Sequence, residues 1–70
     1  MYKYSIGQEV IISKMLSKRG NWVSTKPRIA KIVDIKLTRT FGPAYTLEEN
    51  GKRIRICYWE SDIDQAIVDK

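Results

Sequence analysis

The stretch AYTLEENGKRIRICYW, residues 44–59, leaves little freedom in how it can fold. Tyr45 and Leu47 alternate with Thr46 and Glu48. After a break, Ile54, Ile56 and Tyr58 alternate with Arg53, Arg55 and Cys57. A period of two is that of a half-buried strand, because successive side chains point to opposite faces. Between the two runs stands Asn50-Gly51, the pair that most readily takes positive φ at both central positions of a type I′ turn. The segment reads as a β-hairpin, and the rest of the chain has to supply strands that extend its sheet.

No segment sustains the i, i+3, i+4, i+7 spacing of an amphipathic helix. QEVIISK, residues 8–14, sets Val10 and Ile12 on one face, with Ile11 half covered on the other, after a turn at Gly7. Residues 15–27 are polar, contain Gly20 and Pro27, and read as a long loop or splayed hairpin. RIAKIVDIKL, residues 28–37, has Ala30 and Ile32 on one face and Ile29, Val33, Ile35 and Leu37 on the other, which a bulge or sharp bend would explain. A turn is expected at Gly42-Pro43. SDID, residues 61–64, has capping-box spacing, Ser61 with Asp64, and predicts one turn of 3₁₀ helix before a short strand at 65–68.

Strands are therefore expected near 8–14, 28–37, 43–49, 52–58 and 65–68, around a core of Val10, Ile12, Ala30, Ile32, Tyr45, Leu47, Ile54, Ile56 and Ile63. The layout is all-β: a small five-stranded SH3-like barrel with a long first loop and a 3₁₀ turn before the last strand. Closing the sheet would remove exposed edges and gather the few apolar side chains in one interior. The phrases YSIGQEVIIS, RIAKIVDI and AYTLEENGKRIRICYWESDID carry a G-x-x-V, A-x-I-x-x-I, Y-x-L and W/Y-x-x-x-D-I cadence that resembles bacterial and phage SH3-like barrels. In length and wording the whole chain is also similar to small proteins of SPbeta-type Bacillus prophages. The resemblance implies a phage-derived cytoplasmic barrel; its cadence marks a fold and no activity.

Seventy residues make one domain, 1–70, and a chain this short buries only ~60% of its unfolded surface. Cys57 is alone, fits a reducing compartment, and within IRICYWE reads as a small buried side chain. With no histidine, Cys/His zinc sites and the Ser-His and Cys-His nucleophile pairs have no basis. Glu60, Asp62 and Asp64 cluster, but a calcium loop fails at Ala66, so cap and turn roles suit them better. No glycine-rich phosphate loop is present. We expect no enzyme activity, no metal and no cofactor. The N-terminus lacks the apolar run of a signal peptide, and no stretch approaches the ~20 apolar residues of a membrane span, so a soluble cytoplasmic protein without a membrane partner is expected.

Charge is the unusual global property. The net charge is +5, with nine Lys/Arg against two acids in residues 1–40 and four against six in residues 41–70. The excess concentrates in KMLSKRGNWVSTKPR, residues 14–28, which holds five cations, a tryptophan and no acid. Cations neutralise phosphates and an interleaved aromatic can stack on an unpaired base, so nucleic acid, DNA or RNA, is the expected partner. The candidate contacts are Lys14, Lys18, Arg19, Trp22, Lys26 and Arg28, with Lys31 on the next strand segment and Arg53 and Arg55 sharing a strand face. Trp22 has two readings, a base-stacking platform or a lid packed over the core. SH3-like barrels of ribosomal and transcription proteins use loops of this kind, but the glycine of the ribosomal motif is replaced here by Arg28-Ile29. The paired tyrosines and acidic long loop of proline-binding SH3 domains are missing as well. A host or phage protein bound through the same basic face is the alternative partner, and the chain itself is expected to be monomeric.

Overall fold

The computed structural model describes residues 2–67. Its central element is β2, Trp22–Thr38, seventeen residues long. A straight strand of that length would run more than ~50 Å, beyond the 37 Å largest dimension of the molecule, so β2 has to bend. Its first half pairs with β1, Glu9–Leu16, and its second half with β3, Gly42–Glu49. The register slips between Ile12 and Lys14 on the β1 side and between Ile32 and Asp34 on the β3 side. The second slip is the bulge expected from the two-faced apolar pattern. Ala30 and Ile32 face the core before it and Ile35 packs on the core after it, whereas Ile29 and Leu37 stay 56% and 67% exposed.

β4, Lys52–Trp59, pairs with β3 through the expected hairpin, with Asn50 at φ 54° and Gly51 at φ 80°. A 3₁₀ turn at Glu60–Asp62 carries the chain to β5, Gln65–Ala66, which pairs with β1. All pairings are antiparallel in one sheet of order β4-β3-β2-β1-β5. The expected barrel does not close: β4 and β5 are the two edges, and among the described residues no pairing joins them. The described part of β5 is only two residues long and is held to β1 by Val10↔Ala66 and Ile11↔Gln65. Val68, part of the expected last strand, lies outside the described residues.

The core gathers Val10, Ile12, Ala30, Ile32, Tyr45, Leu47 and Ile63 as expected, and adds Tyr4, Ala44 and Tyr58. Ile54 and Ile56 were expected in it but are only partly buried, because β4 is an edge and its register with β3 slips between Thr46 and Glu48. Cys57 is exposed rather than buried, since it sits on the outer face opposite Thr46. Three tyrosines, Tyr4, Tyr45 and Tyr58, are part of the buried core. The Tyr4 and Tyr45 rings meet edge-to-face at 5.5 Å, the Tyr4 N–H donates to Tyr45 Oη at 3.4 Å, and Tyr45 Oη donates to Glu60 Oε2 at 2.7 Å. Lys3 N–H also donates to that carboxylate, so Glu60 ties the N-terminal segment to the core.

Three local expectations are corrected. The long first loop is a hairpin: β1 runs to Leu16, β2 starts at Trp22, and residues 17–21 alone connect them, closed by Ser17 N–H to Asn21 O at 2.7 Å. The turn expected at Gly42-Pro43 lies at residues 39–41, and Gly42, at φ 80°, opens β3. The 3₁₀ turn begins two residues before SDID predicts. Asp62 accepts from Trp59 N–H at 3.4 Å, and Asp64 instead accepts from Ser13 Oγ at 2.6 Å.

Candidate nucleic-acid interface

The hairpin formed by residues 14–28 is an arm extending from the sheet, with Lys14 opposite Ser24, Met15 opposite Val23 and Leu16 opposite Trp22. Cross-strand backbone bonds shape it although its β2 half, WVSTKPR, is mostly exposed on both faces. The arm folds toward β4: the Trp22 and Tyr58 rings lie 5.3 Å apart, and Tyr58 Oη donates to the Lys14 carbonyl at 2.8 Å. Burial raises the Tyr58 pKa, opposed by the neighbouring Arg28, so the hydroxyl stays a donor.

The five cations of the arm divide into two groups. Lys14 Nζ pairs with the buried Asp62 at 3.1 Å, and Arg28 Nη1 pairs with Glu49 at 2.7 Å. These two charges are committed to holding the arm against the 3₁₀ turn and the β3–β4 hairpin. Lys18, Arg19 and Lys26 are exposed and form no ion pair among the described residues. Lys18 and Arg19 occupy the tip, where the Gly20 N–H bonds to Ser17 O.

Trp22 meets both of its expected readings halfway. One part of the indole packs on Tyr58 and lies under Lys14 Nζ at 5.8 Å, yet 38% of the residue remains exposed.

Lys31 and Arg53 do not belong to this surface. On the outer face the register sets Glu9 opposite Lys31, Lys31 opposite Glu48, and Glu48 opposite Arg53. Signs alternate across four strands, and each of these cations faces an acid. Arg55, expected beside Arg53, lines a groove between β4 and the arm and lies where β4 slips against β3, with no acid opposite it in the register. The nine candidate residues therefore separate into an exposed cationic arm, a pair of structural ion pairs, an outer row of alternating sign and one groove arginine.

A second basic and aromatic group escaped the sequence reading. Phe41, 71% exposed at the β2–β3 turn, lies 5.2 Å from the Trp59 ring, and Lys36 pairs with Ala44, itself opposite Trp59. The cue, an aromatic inside TRTFGP, is also that of an ordinary turn. Among the described residues no three His, Cys, Asp or Glu side chains gather as a metal would require, and no helix is long and apolar enough to cross a membrane.

Comparison with protein-family models, curated proteins and solved structures finds no match, so geometry is the sole guide to function.

Proposed function

We propose that this chain is a non-enzymatic, cytoplasmic binding module of prophage type that contacts the phosphate backbone of nucleic acid through its β1–β2 arm. One observation carries the reading: Lys18, Arg19 and Lys26 are exposed and form no ion pair among the described residues, on an arm that holds no acid and beside a part-exposed Trp22. Such a surface releases counterions from a polyanion, and the indole edge adds sequence-tolerant contact with an unpaired base. The order β5-β1-β2-β3-β4 with a 3₁₀ turn before the last strand supports an SH3-like topology in which the sheet is left open.

Titration of a fluorescein-labelled oligothymidine, and of a mixed-sequence duplex, into wild type and into the double variant Lys18→Glu with Arg19→Glu tests the proposal. Wild type should bind both probes at low salt with little sequence preference, and the variant should lose at least about tenfold in affinity. Equal binding by the variant would remove the arm from the interface.

A further inference from the structure

Strand β4 has a free edge beside an apolar groove. Among the described residues β3 is its one neighbour in the sheet and no backbone–backbone hydrogen bond joins β4 to any other element, the Trp59 N–H at its end being held by the Asp62 carboxylate. Met15 and Leu16 of the arm line one side of the groove, Ile54 and Ile56 line the other, and Arg28 and Arg55 add positive charge. No residue of β3 lines it, so it opens on the side of β4 away from its partner strand. Its volume of about 160 Å³ is below the roughly 300–1,000 Å³ of small-molecule pockets and suits one or two apolar side chains. Arg28 also keeps unused donor capacity: Nη1 holds Glu49, but Nε is buried with no hydrogen-bond partner among the described residues.

Charge selects the occupant. β4 carries three cations, Lys52, Arg53 and Arg55, and no acid. A second copy of this chain adding β4 to β4 would gather six cations on one strand pair, with Arg53 opposite Arg55 in the antiparallel register centred on Ile54, and like charges across strands destabilise pairing. An extended segment with alternating acidic and apolar side chains fits instead. We infer that the β4 edge docks such a segment of another protein, which adds as a sixth strand. Its apolar side chains enter the groove and a carboxylate meets Arg55, the one β4 cation with no acid opposite it in the register. The inference is independent of the nucleic-acid reading, because Lys18 and Arg19 do not border this groove.

The test titrates ¹⁵N-labelled protein with peptides of the eight-residue length of β4, one of alternating Glu and Val and one of alternating Lys and Val. The Glu-Val peptide should shift β4 amide resonances, slow their hydrogen exchange, and bind at least about tenfold more tightly than the Lys-Val peptide. N-methylation of alternate amides on the bonding edge of the Glu-Val peptide should abolish binding. Arg55→Glu, whose amide spectrum reports its folding, should reverse the peptide preference. No binding, equal binding of the two peptides, shifts confined to the arm tip, indifference to N-methylation, or dimerisation of the free protein through β4 would overturn the inference.

Discussion

Asn50 and Gly51 show how little chemistry a decisive position needs. Both sit at positive φ, and a Cβ built on Gly51 meets nothing within 4 Å, so only backbone conformation restricts that site. Gly51→Val should therefore destabilise by ~1–2 kcal/mol through left-handed strain alone, measured by chemical denaturation; an unchanged midpoint would contradict the turn geometry. Tyr45 works through its hydroxyl. Burial first, and then its bond to Glu60, push its pKa up to about 12, while Glu60 is held below the ordinary carboxylate range, first by that same bond and then by Lys3 N–H. The signs give two limbs. The Glu60 contribution is present above the ordinary carboxylate range and is lost as pH falls through its depressed folded value. The Tyr45 contribution is complete below its ordinary pKa of 10.0 and is lost as pH rises toward about 12. Tyr45→Phe should cost ~1–2 kcal/mol at neutral pH and return Glu60 toward the ordinary carboxylate range, which carboxylate NMR titration reads directly. Trp22→Ala should cost both ways: ~1–2 kcal/mol of stability from the lost Tyr58 contact and part of the single-strand affinity. A change in only one of the two would assign the indole wholly to packing or wholly to stacking.

At the scale of elements, the arm and the β3–β4 hairpin differ in what local sequence reveals. The alternation of Tyr45, Leu47, Ile54, Ile56 and Tyr58 around Asn50-Gly51 made the second hairpin legible, because one buried face imposes a period of two. The arm has no such face: in WVSTKPR both sides meet solvent, so nothing alternates and only backbone pairing makes it a strand. The bulge in β2 was legible because it moves apolar residues from one face to the other. The slip in β4 was not, and it leaves Arg55 with no partner in the register while Arg53 faces Glu48. Long-range pairing is equally silent in sequence. Lys14 finds Asp62 forty-eight residues away and Arg28 finds Glu49 twenty-one away, which converts two expected ligand contacts into struts. Lys18→Glu with Arg19→Glu should leave stability within about 0.5 kcal/mol, as exposed turn positions do. Glu49→Gln should destabilise by about 1–3 kcal/mol, because it weakens a part-buried bond to a charged guanidinium whose Nε already lacks a partner. Equal losses in the two variants, read in parallel denaturation curves, would contradict this division of the arm cations.

The whole molecule is an open sheet that does without barrel closure. β2 belongs to both halves of the sheet, bending at its bulges so that β1 and β5 lie over β3 and β4, and Tyr4, Tyr45 and Tyr58 occupy the interior between them. Leaving the sheet open gives the chain a free β4 edge and an arm that projects its charge away from the acids. On the outer face one row alternates in sign across four strands, whereas the arm carries exposed cations and no acid. The measurement that tests this most directly is the salt dependence of oligothymidine binding by the intact protein. Three free arm cations on a single strand predict a slope of log K against log salt of about −2, between about 50 and 200 mM. The slope should fall toward zero in Lys18→Glu with Arg19→Glu. A wild-type slope near zero, or no binding at the lowest salt, would contradict the account.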